Sequence, residues 1–244
     1  MELHGKKVLV CGGASGIGAA AVQAYRAAGA SVAVFDISFK EERLTETIIE
    51  IPVDLSDSGQ VDEAFAKLES RWDTLDILVN NAGIECVAEL EDTSEAAWDR
   101  VMGVNLKSVF LCSKAALPKL KASRGAIVNT ASQLAFVGAS SFTAYTAAKA
   151  AVVNFTRSLA LEVAADGVRV NCICPGAVDT PLLRRQFEGR RGPQGTLDDL
   201  VGMHPIGRLG KPEEIANCIL FLSSPLASFV TGSAMIADGG YTIH

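Results

Sequence analysis

Short apolar runs alternate along this chain with longer segments whose apolar residues recur every three or four positions. The first run, KKVLVCGG (6–13), ends in glycines and passes into AAAVQAYRAAGA, a helix-forming stretch closed by Gly29. SVAVFD (31–36) and IIEIPVD (48–54) are the next strand-like runs. Between them only KEERLTE has helical composition, enough for about two turns. Val61, Ala64, Phe65 and Leu68 mark one face of a further helix. DILVNNAG (76–83) is apolar throughout until it ends in Asn80, Asn81 and Gly83. A helical stretch over 94–120 contains Asn105, a residue mildly unfavourable inside helices. RGAIVNTAS (124–132) and VRVNCICPG (168–176) are strands flanking a long buried helix that starts near Tyr145 and runs on through AAVVNFTRSLALEVA. No core pattern persists from Ala177 to about residue 210, so a mobile excursion, a lid at about 180–210, is expected there. PEEIANCILFLSS (212–224) is again amphipathic, and GSAMIADGG supplies a last strand.

Strands alternating with helices predict an α/β fold of the doubly wound Rossmann kind. Seven parallel strands would carry helices on both faces, in one domain spanning 1–244. Ligands of such sheets bind beyond the carboxyl ends of the strands, where strand order reverses. The glycine turn, Asp36, Asn80, Ser132 and Pro175 all fall at such ends.

Composition narrows the function classes. Hydrophobic residues make up 49% of the 244, but charges interrupt every apolar run before about 18 residues, so no membrane span is expected. The net charge of −6, with no basic stripe, argues against nucleic acid as a partner. The opening MELHGKKVLVCGG lacks a signal-peptide layout, and the six scattered cysteines read as reduced core thiols, so a cytoplasmic location is expected. Cys172 and Cys174 lack the spacing of a zinc or redox pair, and His4, His204 and His244 are far apart, so no metal site is expected.

The strand–turn–helix at Gly12, Gly16 and Gly18 would let backbone approach a diphosphate at a helix N-terminus. Asp36 ends the second strand. There a carboxylate can accept bonds from both ribose hydroxyls and repel a 2′-phosphate. Ser15 and Ile37 bring no compensating cation, which favours NAD over NADP. The alternative at Asp36 is a cap for the next helix. Tyr145 and Lys149 are four apart, hence on one helix face. At roughly 4 Å and an effective dielectric near 20, their attraction is about 4 kcal/mol, enough to bring a phenol towards neutrality. Such a tyrosine can exchange a proton with an alcohol or ketone, and Ser132 can bond the same substrate oxygen. The bland alternative is a packed tyrosine beside a solvated lysine. A kink at Asn105 would free groups to hold a water, and Asn80 and Asn81 would hold neighbouring backbone. Arg184, Arg185, Arg190 and Arg191, against Glu188 alone, reverse the sign of charge locally. They read as solvated lid charges, or as partners of Asp198, Asp199 or a neighbouring subunit, or else as an anion contact through Arg184 or Arg185.

Together CGGASGIG, NNAG, Asn105, Ser132, YTAAK and PGAVDT resemble the short-chain dehydrogenase/reductase family over essentially the whole chain. Cys11 stands where that family has a threonine whose hydroxyl ties the turn to Asn80–Gly83. The resemblance implies that Tyr145 is the general acid/base, that Lys149 tunes it and binds ribose, that Ser132 positions substrate, and that Asn105 holds a proton-relaying water. It implies NAD contacts along Gly12, Ser15, Gly16, Ile17 and Gly18, then Asp36 and Ile37, and Asp54 and Leu55. Asn81, Ala82 and Gly83 continue the path, and Pro175, Gly176, Val178 and Thr180 close it, the last two holding the carboxamide. Gln133, Phe142 and Leu183, with Ser132, are expected to line the substrate site. By position alone Glu85, Cys86, Leu134, Ala177, Leu182 and Phe187 join them. The expected activity is NAD-dependent interconversion of a secondary alcohol and a ketone, in a homotetramer. The alternatives are a 3-oxoacyl thioester (acyl-carrier-protein) reductase and a non-catalytic cofactor-binding sensor.

Overall fold

In the computed structural model, which describes residues 2–45, 48–187 and 195–243, the alternation becomes β1 (Lys7–Cys11), α1 (Gly16–Ala27), β2 (Ser31–Phe35), β3 (Arg43–Leu44) and β4 (Ile49–Ile51). Then come α2 (Ser58–Glu69), β5 (Ile77–Asn80), α3 (Glu95–Met102), α4 (Ser108–Ser123), β6 (Ala126–Thr130) and α5 (Thr143–Val163). The chain finishes with β7 (Arg169–Pro175), α6 (Pro181–Phe187), α7 (Leu197–Gly202), α8 (Pro212–Ser223) and β8 (Ala234–Ala237). The sheet order is β3-β4-β2-β1-β5-β6-β7-β8. Cys11 pairs with Phe35 on one side and Asn80 on the other, so strand order reverses at β1 and opens a crevice above it.

Among the described residues seven strands are parallel, as the pattern predicts, and β3 adds a two-residue antiparallel edge. Here the expected helical crossover at KEERLTE is not formed. Arg43 and Leu44 instead pair with Glu50 and Ile49, and Thr45 N donates to Ile48 O at 2.8 Å. A two-turn helix has too little apolar face to hold itself against a sheet, whereas the open edge of β4 offers backbone partners directly. Glu46, the last residue of that stretch, lies outside the described residues.

Alternate strand residues feed two cores. Leu9 and Cys11 join α2, α4 and α5 on one face, and Val8 and Val10 join α1 and α8 on the other. Tyr25 is fully buried between α1 and α8, where its hydroxyl meets Ser223 Oγ at 2.7 Å.

A buried polar ladder ties the first face together. Asn80 Nδ2 donates to Ser113 Oγ on α4 (3.1 Å) and to Asn129 Oδ1 on β6 (2.8 Å). Asn129 Nδ2 donates to Thr156 Oγ1 on α5 (2.9 Å), whose hydroxyl donates to Val152 O (2.8 Å). All four side chains are buried, where a donor without an acceptor would be destabilising, so the ladder sets both helices against the sheet. Asn80 therefore holds side chains rather than the backbone expected of it. The predicted kink at Asn105 is a five-residue π-turn, Gly103–Lys107, between α3 and α4.

Candidate active site

A cleft of about 550 Å³ runs along the carboxyl ends of the strands, from Asp36 past the glycine turn to Tyr145. Its wall carries every residue expected to touch cofactor or substrate except Gly18, Cys86 and Phe187, and Asn105 lies behind it. Gly18 acts within the fold, since a Cβ there would collide with Gly12 O. Cys86 packs beside Phe142 and Tyr145 in a small apolar cluster.

Gly12 has φ +80, and a Cβ on it would lie 2.6 Å from Ala82 Cα, so only glycine lets the turn lie against the segment after β5. Cys11 O accepts from Asn81 N (2.9 Å) and Ala82 N (3.0 Å), and Asn81 Nδ2 donates to Gly12 O (2.8 Å). The tie expected from a threonine hydroxyl is thus made by backbone and Asn81. The Cys11 thiol turns into the core against Cys112, which helps to push its pKa up.

The site fits a dinucleotide on the chain's own terms. Ser15, at the start of α1, makes no capping bond, and the first turn holds no acid. By contrast α2, α3 and α7 are capped by Asp57, Ser94 and Thr196. The first N–H groups of α1 therefore face the cleft with a positive dipole end and no side-chain cap. Asp36 accepts from Ala14 N (3.0 Å) and from Ser38 N (2.9 Å) and Oγ (2.8 Å), which sets its carboxylate at the cleft's far end. Asp54 accepts from Ser56 N (3.0 Å) and Oγ (2.6 Å). Gly210 is bonded to Ala177 O and Asp179 N, so the N–H and C=O of Val178 point away from it. Thr180 packs over Gly16.

At the near end, α5 brings Tyr145 and Lys149 under the cleft, 9% and 2% exposed, with Ser132 at 8%. Ser132 Oγ accepts from Leu134 N (3.1 Å), which caps a short turn and leaves its hydroxyl proton for the phenol or a ligand. Lys149 Nζ donates to Thr130 O (2.8 Å) and lies 5.6 Å from the Tyr145 ring centre. Burial pushes Lys149 down to about 8, against the pull of Glu85 and Cys174. Burial and the negative charge of Glu85 push the Tyr145 phenol well above its ordinary range, with Ser132 drawing it the other way. The lowered phenol expected from the Tyr–Lys spacing is thus not what the protein alone produces. Desolvation is the largest influence on the phenol, and Glu85 adds to it.

Asn105 Nδ2 donates to Ile84 O and Val101 O, both at 2.9 Å, while its buried Oδ1 has no partner among the described residues. A Cβ on Gly83 would be 2.9 Å from that Oδ1 and 3.3 Å from Lys149 Nζ, so both atoms border one small space.

Of the arginine run, Arg184 is held by Asp179 (2.6 and 2.8 Å) rather than by Asp198 or Asp199. Arg185 lines the cleft from α6. Glu188, Arg190 and Arg191 lie outside the described residues. Sequence reasoning missed Thr130, His204 and Gln186. His204 is buried, accepts from Ala177 N at Nε2 (3.2 Å) and bonds Leu200 O through Nδ1 (2.8 Å), anchoring the loop after β7 to α7. Gln186 Nε2 donates to Glu85 Oε2 (2.5 Å) across 101 residues of chain. No local signal announces such pairs.

The family model described as Enoyl-(Acyl carrier protein) reductase matches residues 12–242. A curated relative from Aquarana catesbeiana, "Dehydrogenase/reductase SDR family member 6", is 37% identical and covers 99% of both chains. The chain belongs to the short-chain dehydrogenase/reductase family. Its oxidoreductase relatives include "Cis-4-hydroxycyclohexanecarboxylate dehydrogenase" of Sinomonas cyclohexanicum, 40% identical over 96% of this chain and 95% of that one. A 3-ketoacyl-(acyl-carrier-protein) reductase from Brucella melitensis, solved with NADH, superposes with a TM-score of 0.88 at 31% identity, covering 98% of this chain and 99% of that one. As a member of this family the protein is an oxidoreductase that uses a nicotinamide cofactor.

Proposed function

We propose that this family member prefers NAD and interconverts a secondary alcohol and its ketone, with Tyr145 moving the proton. The carrying observation is the convergence of buried Ser132, Tyr145 and Lys149 at one end of a cleft whose other end is Asp36. In reduction, the Tyr145 hydroxyl gives its proton to the carbonyl oxygen as hydride reaches the carbon, and oxidation reverses both transfers. When bound, the dinucleotide supplies the hydride carrier, and its oxidised ring adds a positive charge that favours the phenolate. Ser132 holds the substrate oxygen, Lys149 holds ribose hydroxyls, and Asn105 Oδ1 with Lys149 Nζ borders the route by which the proton is replaced. Asp36 takes the adenosine ribose and disfavours a 2′-phosphate. The backbone of Val178 and the side chain of Thr180 suit a carboxamide.

A second reading, reduction of a 3-oxoacyl thioester, draws on the family model's description and on the named activity of the Brucella structure. A homotetramer is supported by exposed Phe110 on α4, Leu161 on α5 and Phe229 and Ile243 near the C-terminus. A cytoplasmic location is supported by six free thiols. No helix among the described residues is long and apolar enough to cross a membrane.

The test is initial rates with NAD and NADP on secondary alcohols and ketones, with acetoacetyl-CoA for the second reading. Tyr145→Phe is expected to lower kcat about 10²–10⁴-fold with NADH affinity nearly intact. Retention of most activity would contradict the assigned proton donor.

A further inference from the structure

The substrate end of the cleft contains a carboxylate to which the proposed reaction gives no task. Glu85 follows the NNAG turn, and Ile84 O beside it is pinned by Asn105 Nδ2, so its backbone position is fixed. Gln186, reaching over from α6, holds Oε2 at 2.5 Å, and among the described residues Oε1 has no hydrogen-bond partner. Burial pushes the Glu85 carboxyl up, while Gln186, Lys149 and Arg185 pull it back. Its charge in turn raises both Tyr145 and Lys149, so it lies within electrostatic reach of the groups that would move the proton.

We infer that Glu85 sets substrate class: its carboxylate accepts a hydrogen bond from a second hydroxyl near the reacting carbon, so the site takes neutral polyhydroxy compounds and turns away anions. An ionised carboxylate only accepts, so its partner must be a donor. Lys149 and Arg185 already draw on its charge, which favours a neutral hydroxyl over a further ammonium. The anion contact considered for Arg184 and Arg185 is weaker on this geometry. Arg184 is committed to Asp179, and Arg185 is solvent-exposed and screened, whereas Glu85 is sheltered. The assignment rests on the alcohol–ketone reading, and two separate readouts keep the two apart.

The first readout is kcat/KM with NAD for three secondary alcohols on one four-carbon skeleton: butane-2,3-diol, butan-2-ol and 3-hydroxybutyrate. The expected order places the diol about tenfold or more above butan-2-ol, the weight of a hydrogen bond to a charged acceptor, and the anion last. Glu85→Gln is expected to shrink the diol-to-butan-2-ol ratio about tenfold and to raise the 3-hydroxybutyrate-to-butan-2-ol ratio. Gln186→Ala, which only loosens the carboxylate, is expected to move both ratios the same way by less. The second readout is the dissociation constant of each alcohol from the enzyme–NADH complex, followed by NADH fluorescence. Equal use of diol and butan-2-ol, or a Glu85→Gln variant that lowers all three together, overturns the role of Glu85 and leaves the reaction standing. Absent turnover with a diol affinity that Glu85→Gln weakens about tenfold overturns the reaction and upholds Glu85. Absent turnover with no selective diol affinity overturns both.

Discussion

Lys149→Met should make the cofactor-free protein more stable while abolishing its activity. The ammonium of Lys149 is 2% exposed, and burial holds its pKa at about 8 against 10.5 for a free lysine. At 1.36 kcal/mol per pH unit, that gap opposes folding by about 3 kcal/mol wherever the group is charged in both states, which is below pH 8. Between pH 8 and 10.5 the unfolded chain keeps a proton that the folded chain has released, so stability rises with pH and the burden is gone by about 10.5. Methionine fills similar space without the charge, but it leaves Thr130 O without its 2.8 Å donor, a loss of about 1 kcal/mol. The net gain at pH 7 is then about 2 kcal/mol, or roughly 4–8 °C in Tm for a chain of this length. Tyr145 and Tyr25, whose buried phenols are both raised, keep their protons when folded, so either protein loses stability above about pH 10. The difference between the two proteins isolates Lys149. Urea unfolding of both from pH 7 to 10.5 should show the variant ahead at pH 7 and its lead shrinking by about 3 kcal/mol across the series. A variant less stable at pH 7, with a gap that does not change with pH, would refute the claim that burial dominates this lysine.

Three further outcomes are expected. Asn129→Leu removes the centre of the ladder and leaves Asn80 Nδ2 short of an acceptor, so thermal unfolding should show a loss of about 3 kcal/mol. Adding Thr156→Val should cost about 1 kcal/mol less than it does alone, because its partner has already gone; strict additivity would mean that the ladder is not coupled. Asp36→Ala should narrow the ratio of kcat/KM for NAD over NADP by about tenfold, and an unchanged ratio would remove Asp36 from cofactor choice. His204→Leu frees Ala177 N and loosens the Val178 loop from α7, so NADH titration should show Kd rising about tenfold; unaltered affinity would show that the loop holds without it.

The glycine turn, the Tyr145–Lys149 pair and the strand–helix alternation were legible in the chain because each is local. A turn needs glycine where backbones touch, a helix places residues four apart on one face, and periodicity tells which side is apolar. Asp36 was legible because a strand end is a place the pattern marks. The edge strand at Arg43–Leu44 was not, since it depends on β4 having an open edge rather than on the weak helical composition of KEERLTE. Nor were Asn129, Thr156, His204 and Gln186, each of which has a partner 27 to 101 residues away. The direction in which Tyr145 shifts was also beyond the chain's own pattern. Spacing brings the lysine near, but how much water remains around a phenol depends on Val101, Ile84 and Trp98, which join its apolar cluster from other segments. Sequence by itself determined which chemical groups meet at the strand ends. Tertiary structure alone decided their partners and their dielectric, because both are set by segments that only folding brings together.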